Sequence, residues 1–592
     1  MSPAGNRSPQ VAVAGGATDR SGREAATART GAELVWASLR AAGVELVFGY
    51  PGGAVIPLYD ALEGSGVRHV LTRHEQGAAF AAEGYARATG RCGVAVATSG
   101  PGATNLVTGI ADAKMDSTPL LCITGQVRSG LLGTDAFQET DIFGLTLPLT
   151  KWSRLVKSAD EIPTVLAQAL HIATSGRPGP VLVDIPVDVL KGRSSAAAEG
   201  GFRPPRARPA PGFPATAAAA LLREAKRPVI LVGAGVKLAG AVEETRRLLD
   251  WLQIPAGATV HGLGVIPHDV PYSLGMVGMH GTRRANLALH ETDLLVILGA
   301  RLDDRVTGDP GRFAPAARVV HFDIDPAQLD RVRRGELAVV GDLAQTLPQL
   351  RASLASARLP DYTGWRDVAC GAERADPEPN ARGLAPVRFL DRVFARLRRI
   401  SEQAFVVADV GQHQMWAAQR YRAAFPRGFI TSGGLGAMGF ALPAAIGAQL
   451  GRPEAPVLCI AGDGGFQMNL QELATVRRCG LGLKMLVVDN QYLGMVRQWQ
   501  QLFYQRNYAE TDLSDNPDFV AIAAAYGIPG ERICADPAAA AGTDAGGEAA
   551  IERFLSTPGP AMLVYACPQE ANVFPMVPSG AALSEMLLTE EE

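Results

Sequence analysis

The sequence lacks several features that would place the protein in a specialised class. No apolar run approaches the ~20 residues that span a bilayer, which argues against a membrane protein. The 56 Lys and Arg residues nearly balance the 59 Asp and Glu residues, so no cationic excess is available for nucleic-acid phosphates. Residues 1–29 lack the apolar core of a secretory signal, and their Gly, Ala, Ser and Arg content predicts a disordered leader.

The cysteines and histidines lack the spacings of metal sites. The seven cysteines are scattered, odd in number and without a CxxC pair, which fits a reduced cytoplasm best. The nine histidines show neither HxxxH nor HExxH spacing. Any metal ion is therefore expected to have oxygen ligands.

Two stretches rich in Pro, Gly, Arg and Ala lose apolar periodicity, at 191–215 and 358–385. We interpret them as linkers between three domains, which the sequence places at 30–190, 216–357 and 386–592. Within each domain, short apolar runs alternate with helical patterns, which is typical of parallel sheets covered by helices on both faces. The predicted fold is three doubly wound α/β domains.

The predicted strands are short and continuously apolar. They lie at 94–98, 120–124, 181–185, 229–232, 294–298, 405–408, 457–460 and 483–488. An Ala/Gly-rich insert at 535–550 is predicted to be a mobile loop or a surface helix, since composition does not separate the two. Because ligands of such sheets lie beyond the carboxyl ends of the strands, the Gly-rich turns there are candidate binding sites.

Two oxygen ligands follow neighbouring predicted strands of the third domain. The strand at 457–460 leads into the turn AGDGG at 461–465, and the next strand leads into Asp489-Asn490. A divalent cation between Asp463 and Asn490 could bridge them to a diphosphate, which the glycines would let approach the backbone. Asp-Gly is also common in simple turns, so AGDGG taken by itself could be a turn without a ligand.

Two further segments carry a distinctive residue in an apolar, small-residue setting. Glu75 follows a predicted strand at 69–72 and begins a helical pattern, so its carboxyl is expected to be buried and to share a proton with a partner. Met438 is the large apolar side chain among the glycines of TSGGLGAMGFALPAAIGAQLG, at 431–451. The alternatives are a solvated or capping carboxylate for Glu75 and core packing for Met438.

Together these motifs resemble those of thiamine diphosphate enzymes, and from about residue 30 onward the chain is similar to the catalytic large subunits of acetohydroxyacid synthase (acetolactate synthase). The shared runs are GYPGGA (49–54), TSGPGATNLVTGIADA (98–113), GTDAFQE (133–139), GRPGPVLVDIP (176–186), GMHGT (278–282), DDRVTG (303–308), VGQHQMW (410–416) and LGMVRQWQQLFY (493–504).

The resemblance implies a reaction and its central residues. Pyruvate would be decarboxylated on thiamine diphosphate, and its two-carbon unit would pass to pyruvate or 2-oxobutyrate in branched-chain amino-acid biosynthesis. Glu75 would share a proton with N1' of the aminopyrimidine. Met438 would hold the cofactor bent, and the Gly436 carbonyl would accept from its 4'-amino group. The implied Mg²⁺ ligands are Asp463, Asn490 and the Tyr492 carbonyl. The other implied contacts of thiamine diphosphate are Gly52, Pro101, Val410, Gly411, Gln412, His413, Gly462, Gly464 and Gly465.

The resemblance also assigns substrate contacts. Arg305 would bind a 2-oxoacid carboxylate bidentately, with a surface or flavin-adjacent salt bridge as the alternative. Trp499 would favour a four-carbon acceptor by packing against its extra methyl group, and Gln138 would line the same pocket.

FAD without a redox role in the overall reaction is implied for the middle domain. The turn Gly233-Ala234-Gly235 follows a predicted strand, but Leu238 occupies the third position of GxGxxG, so a purely structural turn is the alternative. The runs at 299–308 and 321–328 favour flavin, because the flavin-free catabolic synthases do not share them. The implied FAD contacts are Arg177, Gly233, Ala234, Gly235, His280, Gly299, Arg301, Asp303, Asp323, Ile324 and Asp342.

Three positions depart from the family pattern. Asp489 stands where the family has Asn, and Leu302 where it has Phe. Val187 replaces the Lys of DxPKD, which puts substrate capture and sensitivity to channel-bound inhibitors in question.

The resemblance further implies a homodimer, in which Glu75 of one chain meets the cofactor of another, or a tetramer, and a separate small regulatory subunit. The alternative functions are another thiamine decarboxylase or carboligase such as glyoxylate carboligase, a flavin-reducing relative of pyruvate oxidase, and a noncatalytic paralogue acting as a scaffold or regulatory partner.

Overall fold

Three six-stranded sheets dominate the computed structural model, and in each of them neighbouring strands run parallel. The three predicted α/β domains are therefore confirmed. The structure describes residues 28–205, 214–377, 381–534 and 545–590. Outside the described residues lie 1–27 of the predicted leader, 206–213 and 378–380 of the predicted linkers, and 535–544 of the predicted insert.

The N-terminal domain contains eight strands: β1 (Arg29–Thr30), β2 (Leu46–Gly49), β3 (Arg68–Leu71), β4 (Gly93–Ala97), β5 (Leu120–Gln126), β6 (Trp152–Leu155), β7 (Pro180–Pro186) and β8 (Arg193–Ser194). Its sheet has the order β3-β2-β4-β5-β7-β6, and β1 pairs antiparallel with β8. Its helices are Gly31–Ala41, Ile56–Asp60, Glu75–Thr89, Pro101–Asn105, Val107–Asp116, Ile142–Thr146, Ile162–Thr174 and Val187–Lys191.

The middle domain contains β9 (Pro228–Val232), β10 (Ala256–Ala258), β11 (Ser273–Met276), β12 (Leu294–Leu298), β13 (Arg318–Asp323) and β14 (Leu337–Val340). Its sheet has the order β11-β10-β9-β12-β13-β14. Its helices are Ala215–Glu224, Ala234–Leu238, Val242–Leu252, Arg283–Glu291, Asp304–Thr307, Leu343–Ala355 and Thr363–Ala369.

The C-terminal domain contains β15 (Phe405–Ala408), β16 (Phe429–Thr431), β17 (Val457–Gly462), β18 (Lys484–Asp489), β19 (Gly530–Cys534) and β20 (Ala561–Ala566). Its sheet has the order β16-β15-β17-β18-β20-β19. Its helices are Ala381–Ile400, Gln412–Arg420, Ala441–Gly451, Asp463–Met468, Leu473–Cys479, Gly494–Phe503, Phe519–Ala525 and Ala545–Ser556.

Both faces of the central strands are buried. In β4, Val94 and Val96 pack into one apolar cluster while Ala95 and Ala97 pack into another. This explains why the strands read as continuous apolar runs without polar alternation. The eight apolar predicted strands and the predicted strand at 69–72 are all present, with bounds that differ by at most two residues at either end.

The strand orders locate the binding crevices. When the six strands of each sheet are numbered along the chain, the N-terminal and C-terminal sheets have the same order. In both of them the first strand of the sheet, β2 or β15, lies next to the third, β4 or β17. The middle sheet has the order 3-2-1-4-5-6, which is typical of dinucleotide-binding domains. The strand order therefore reverses between β2 and β4, between β9 and β12, and between β15 and β17, and crevices form at such reversals.

Two of the segments expected to be irregular contain helices. The predicted second linker, 358–385, includes helix Thr363–Ala369 and the start of helix Ala381–Ile400. The described part of the 535–550 insert begins helix Ala545–Ser556, which agrees there with the surface-helix alternative. Among the described residues, no helix has both the length and the apolar character needed to cross a membrane.

Candidate active site

A cavity of about 1310 Å³ lies beyond the carboxyl ends of the central strands of the middle and C-terminal domains, and the N-terminal domain contributes part of its lining at 115–117, 174 and 176–178. Ordinary small-molecule sites occupy about 300–1,000 Å³, so this cavity has room for more than one ligand. The predicted site residues that line it are Arg177, Ala234, Gly235, His280, Gly299, Arg301, Asp303, Arg305, Asp323, Ile324, Asp342, Val410, Gly411, Gln412, His413, Gly436, Met438, Gly462, Asp463, Gly464, Gly465, Asn490, Tyr492 and Trp499.

The expected metal ligands lie at the ends of two neighbouring strands. Asp463 follows β17 as the first residue of helix Asp463–Met468, and Asn490 follows β18. The Asn490 side chain is buried, and its Oδ1 accepts the Tyr492 N–H at 3.1 Å. Carboxylate, amide and backbone carbonyl oxygens are a donor set that suits Mg²⁺. Among the described residues, no group of three or more His, Cys, Asp or Glu side chains is placed to hold a metal.

Within the described parts of the chain, no cationic side chain forms an ion pair with Asp463. Burial raises the pKa of Asp463 to about 7, and the nearby Asp489 carboxylate acts in the same direction. Asn516 favours the ionised form, because its Nδ2 donates to Asp463 Oδ2 at 2.7 Å. Asp489, by contrast, forms an ion pair with Arg532 at 2.8 Å. A divalent cation would therefore satisfy Asp463, whereas Asp489 already has a protein partner.

His413 is a neutral imidazole packed between glycines. Burial lowers the pKa of His413 to about 3. Its Nε2 accepts the Gly462 N–H at 3.1 Å, so the ring proton is on Nδ1. A Cβ added to Gly411 or to Gly462 would lie 2.9 Å from the imidazole Cε1, so both glycines are needed for this close packing.

A buried carboxylate shapes the loop that carries Gly436 and Met438. Asp409 accepts the N–H groups of Gly439 at 2.9 Å and Ala441 at 3.1 Å, which fixes the loop just before helix Ala441–Gly451. Gly436 has φ +71°, a conformation that favours glycine. Met438 reaches over the Gly-rich turn at 462–465, where its Cε lies 3.6 Å from a Cβ built on Gly464.

Glycines bring the ends of β9 and β12 together in the middle domain. A Cβ on Gly233 would lie 2.3 Å from the Gly299 carbonyl oxygen, and one on Gly235 would lie 2.7 Å from Gly299 Cα. A purely structural turn would require the same close packing, so the packing alone does not distinguish it from a nucleotide site. Ala234 and Gly235 line the cavity at the reversal of strand order, which favours a nucleotide site, whereas Gly233 is not among the lining residues.

Charged side chains surround this part of the cavity. Arg177, from the N-terminal domain, pairs with Asp325 at 3.1 Å, and Arg301 lies 3.5 Å from Asp303. Burial raises the pKa values of Asp303 and Asp323. Two guanidinium groups beside a glycine turn suit a diphosphate, so the residues present fit a dinucleotide such as FAD.

Arg305 and Trp499 lie together in the lining of the cavity. The Arg305 guanidinium lies over the indole at 5.9 Å from its centroid, and its Nη1 donates to Met279 Sδ at 3.1 Å. Its side chain is 56% exposed, so the guanidinium is accessible to an anionic ligand. His280 is buried beside this pair and contacts the Pro575 carbonyl oxygen at 3.1 Å.

Glu75 lies in a second cluster, on the N-terminal domain. It is buried as the first residue of helix Glu75–Thr89, and its Oε2 accepts from Asn105 Nδ2 at 2.9 Å. A Cβ on Gly102 would lie 3.1 Å from Glu75 Oε1, and one on Gly100 would lie 2.8 Å from the Gln138 carbonyl oxygen. Besides Gly233, four predicted residues stay outside the cavity of their own chain, all on the N-terminal domain: Gly52, Glu75, Pro101 and Gln138.

The positions that depart from the family pattern have distinct surroundings. Leu302 is buried in the apolar core of the middle domain. Val187 begins helix Val187–Lys191 and supplies no charge there, while the adjacent Asp188 accepts the Ser129 N–H at 2.9 Å. Asp489 is balanced by Arg532, as described above.

Several contacting residues were not singled out from the sequence. Asn105 lies within the TSGPGATN run, and Asp409 lies just before VGQHQ, so their motifs could have identified them. Asn516 lies beyond helix Gly494–Phe503, which separates it from Asn490 in the chain, and it belongs to no motif. Only the folded chain brings it to Asp463.

Sequence comparisons agree with this geometry. The chain matches the thiamine pyrophosphate enzyme N-terminal TPP binding domain over residues 29–145, the central domain over 215–350 and the C-terminal TPP binding domain over 409–565. It is 49% identical over 569 residues to acetolactate synthase isozyme 2 large subunit of Escherichia coli (strain K12), covering 94% of this chain and 99% of the relative. It is 44% identical over 572 residues to the probable acetolactate synthase large subunit of Methanocaldococcus jannaschii, with 94% and 95% covered. It is 46% identical over 578 residues to acetolactate synthase of Mycobacterium leprae, with 94% and 90% covered.

Proposed function

Because the chain belongs to the acetolactate synthase large-subunit family of thiamine pyrophosphate enzymes, we propose that it decarboxylates pyruvate and transfers the two-carbon unit to a second 2-oxoacid. The products are 2-acetolactate from pyruvate and 2-aceto-2-hydroxybutyrate from 2-oxobutyrate. The observation that carries this proposal is the single cavity in which the diphosphate turn, the Met438 loop and the Arg305–Trp499 pair meet. This reaction begins branched-chain amino-acid synthesis.

Each bound group has candidate partners in the chain. Asp463, Asn490 and the Tyr492 carbonyl would hold Mg²⁺, and the backbone of the Gly-rich turn at 462–465 would bind the diphosphate. When bound, thiamine diphosphate supplies the carbon nucleophile and accepts the electron pair released on decarboxylation. FAD would be held by Arg177 and by the turn after β9, which line the same cavity, and would serve a structural role.

The substrate contacts follow from charge and shape. Arg305 is an exposed guanidinium in the lining of the cavity, and it binds the carboxylate of a 2-oxoacid. Trp499 beside it packs against the extra methyl group of a four-carbon acceptor. A single methylene in an apolar pocket is worth about 1–3 kcal/mol, so 2-oxobutyrate is preferred but pyruvate is still accepted.

The separation of the two clusters supports a homodimer. Glu75 and Gln138 lie on the N-terminal domain, away from the cavity that their own chain forms. Apolar side chains near them are exposed, including Ile56 at 63% and Phe137 at 88%. Docking of this surface on the cavity of a second copy would bring Glu75 to the aminopyrimidine and cover the apolar side chains. Since relatives are named large subunits, we also propose a separate small subunit.

The experiment is product analysis with the purified protein, thiamine diphosphate, Mg²⁺ and FAD. Pyruvate is supplied alone and then in an equal mixture with 2-oxobutyrate. We expect acetolactate from pyruvate and an excess of acetohydroxybutyrate from the mixture. Flavin reduction by pyruvate with no carboligation would favour a redox enzyme, and the absence of any product after addition of a small subunit would contradict the proposal.

A further inference from the structure

Three buried side-chain amides form a hydrogen-bonded chain behind the metal site. Asn490 Nδ2 donates to Gln412 Oε1 at 3.2 Å, and Gln412 Nε2 donates to Gln498 Oε1 at 2.9 Å. Gln498 in turn contacts the backbone of Val573 in both directions, with its Nε2 3.0 Å from the carbonyl oxygen and its Oε1 2.9 Å from the N–H. The relative exposures are 7% for Asn490, 4% for Gln412 and 0% for Gln498.

Backbone groups at both ends fix the orientation of every amide in this chain. The Ala571 carbonyl oxygen accepts from Gln412 Nε2 at 2.8 Å, so the Gln412 oxygen must face Asn490. The Tyr492 N–H donates to Asn490 Oδ1, so the Asn490 nitrogen must face Gln412. Rotating any one amide would bring two donors or two acceptors together, which is costly in a buried site.

Close packing at Gly494 supports the same arrangement. A Cβ on Gly494 would lie 2.2 Å from Gln412 Oε1 and 2.4 Å from Asn490 Nδ2, directly over their hydrogen bond. Gly494 begins helix Gly494–Phe503, which also carries Gln498 and Trp499. The hydrogen-bonded amides of Gln412 and Gln498 therefore connect Asn490, the proposed metal ligand, with the helix that carries Trp499.

We propose that Gln412 and Gln498 are positioning residues that direct Asn490 Oδ1 toward the metal, with the 571–573 segment as their anchor. The inference rests on the metal site proposed above. The Gln412 side-chain amide is engaged by Asn490, Gln498 and the Ala571 carbonyl oxygen, so it acts on the metal through Asn490. Removing such a supporting hydrogen bond typically weakens metal binding about 10–100-fold.

The test measures Mn²⁺ binding to the full-length protein in the presence of thiamine diphosphate and FAD, by electron paramagnetic resonance of free and bound Mn²⁺. Gln412→Met keeps the volume but leaves Asn490 Nδ2 without an acceptor. Gln449→Met is the matched control, because Gln449 is a buried amide that donates to the Ala455 carbonyl oxygen at 3.0 Å, outside the cavity. We expect at least about a 10-fold weaker Mn²⁺ affinity in Gln412→Met and less than about a 2-fold change in Gln449→Met.

A rescue variant distinguishes a lost orientation of the Asn490 amide from a general loss of packing around the metal site. In the double variant Gln412→Met, Asn490→Asp, both oxygens of residue 490 are equivalent, so a metal finds an oxygen in either rotamer. Most of the lost Mn²⁺ affinity should return. Equal affinities in Gln412→Met and Gln449→Met, or no rescue by Asn490→Asp, would overturn the proposal.

Gly494→Ala provides a second variant, should Gln412→Met fail to fold. The added methyl group presses the two amides apart, so Mn²⁺ affinity should fall about 10-fold. The same overpacking should also lower thermal stability, by less than is needed to unfold the protein, because the added methyl raises intrinsic helix propensity. Unchanged affinity in Gly494→Ala would count against the proposal. Asp463→Ala distinguishes the two levels of inference: if this variant binds Mn²⁺ normally, the metal site itself is wrong and the inference falls with it. If Asp463→Ala loses binding while Gln412→Met does not, only the positioning role is wrong.

Discussion

The crossing of helices Glu75–Thr89 and Ala441–Gly451 joins the N-terminal and C-terminal domains at a point with no space for a methyl group. A Cβ on Gly84 would lie 1.9 Å from the Ala444 carbonyl oxygen, and one on Gly447 would lie 1.8 Å from the Ala81 carbonyl oxygen. Both obstacles are backbone atoms of helices, which cannot rotate away as a side chain would. We predict that Gly84→Ala destabilises the protein by separating these helices.

The expected size follows from the overlap. A carbon normally approaches a carbonyl oxygen to about 3.3 Å, so the helices must separate by roughly 1.4 Å. Overpacking of a rigid interior costs about 1–3 kcal/mol, and the upper end applies because the whole crossing must move. Alanine regains about 0.5–1 kcal/mol through helix propensity. The net loss in the free energy of unfolding is therefore about 2 kcal/mol.

The assay compares urea unfolding of Gly84→Ala with that of Gly364→Ala. Gly364 lies inside helix Thr363–Ala369, and a Cβ there would meet no atom within 4 Å, so this control should be neutral or slightly stabilised. Adding Gly447→Ala to Gly84→Ala should cost less than the sum of the two single changes, because the first has already separated the helices. The reasoning is refuted if Gly84→Ala unfolds at the same urea concentration as Gly364→Ala.

Three further predictions concern the site. Glu75→Gln should lower turnover about 100-fold or more while leaving the far-ultraviolet circular dichroism unchanged, since proton-transfer residues contribute roughly 10²–10⁴-fold; full turnover would remove Glu75 from the mechanism. Trp499→Leu should lower the preference for 2-oxobutyrate over pyruvate by about 10-fold, measured as the product ratio in a mixed assay; an unchanged ratio would place acceptor selection elsewhere. Burial lowers the pKa of His280 to about 4, so its contribution to stability is complete above about pH 6.5 and is lost as the pH falls through 4. Between pH 7 and pH 4, the free energy of unfolding should therefore fall by about 3 kcal/mol less in His280→Gln than in the native protein. Parallel plots of the free energy of unfolding against pH for the two proteins would contradict this.

The sheets could be predicted because their local signal is strong. The run at 294–298 is apolar at every position, and the structure places β12 there as Leu294–Leu298. The bounds shift where the chain continues straight past the apolar run, as when β5 extends to Gln126. The residue bounds of the three domains and the roles of the individual site residues remain predictions.

The pairing of distant polar groups could not be read from the sequence. Asn516 reaches Asp463 at 2.7 Å, and the Ala571 carbonyl oxygen fixes Gln412 at 2.8 Å, although nothing local marks Asn516 or Ala571 as special. Such contacts depend on where loops return to the sheet. A short motif records only the residues that lie next to each other in the chain.

The sequence by itself determined the three parallel sheets and the glycine turns that end their strands, because continuous apolar burial and close backbone approach impose strict local requirements on residue type. The family assignment follows from the same turns. Only the tertiary structure decided which of these turns share a cavity, since the order of strands within each sheet sets which ends are neighbours. It unites Asp463 with Trp499 and Arg305, and leaves Glu75 on another surface of the same chain.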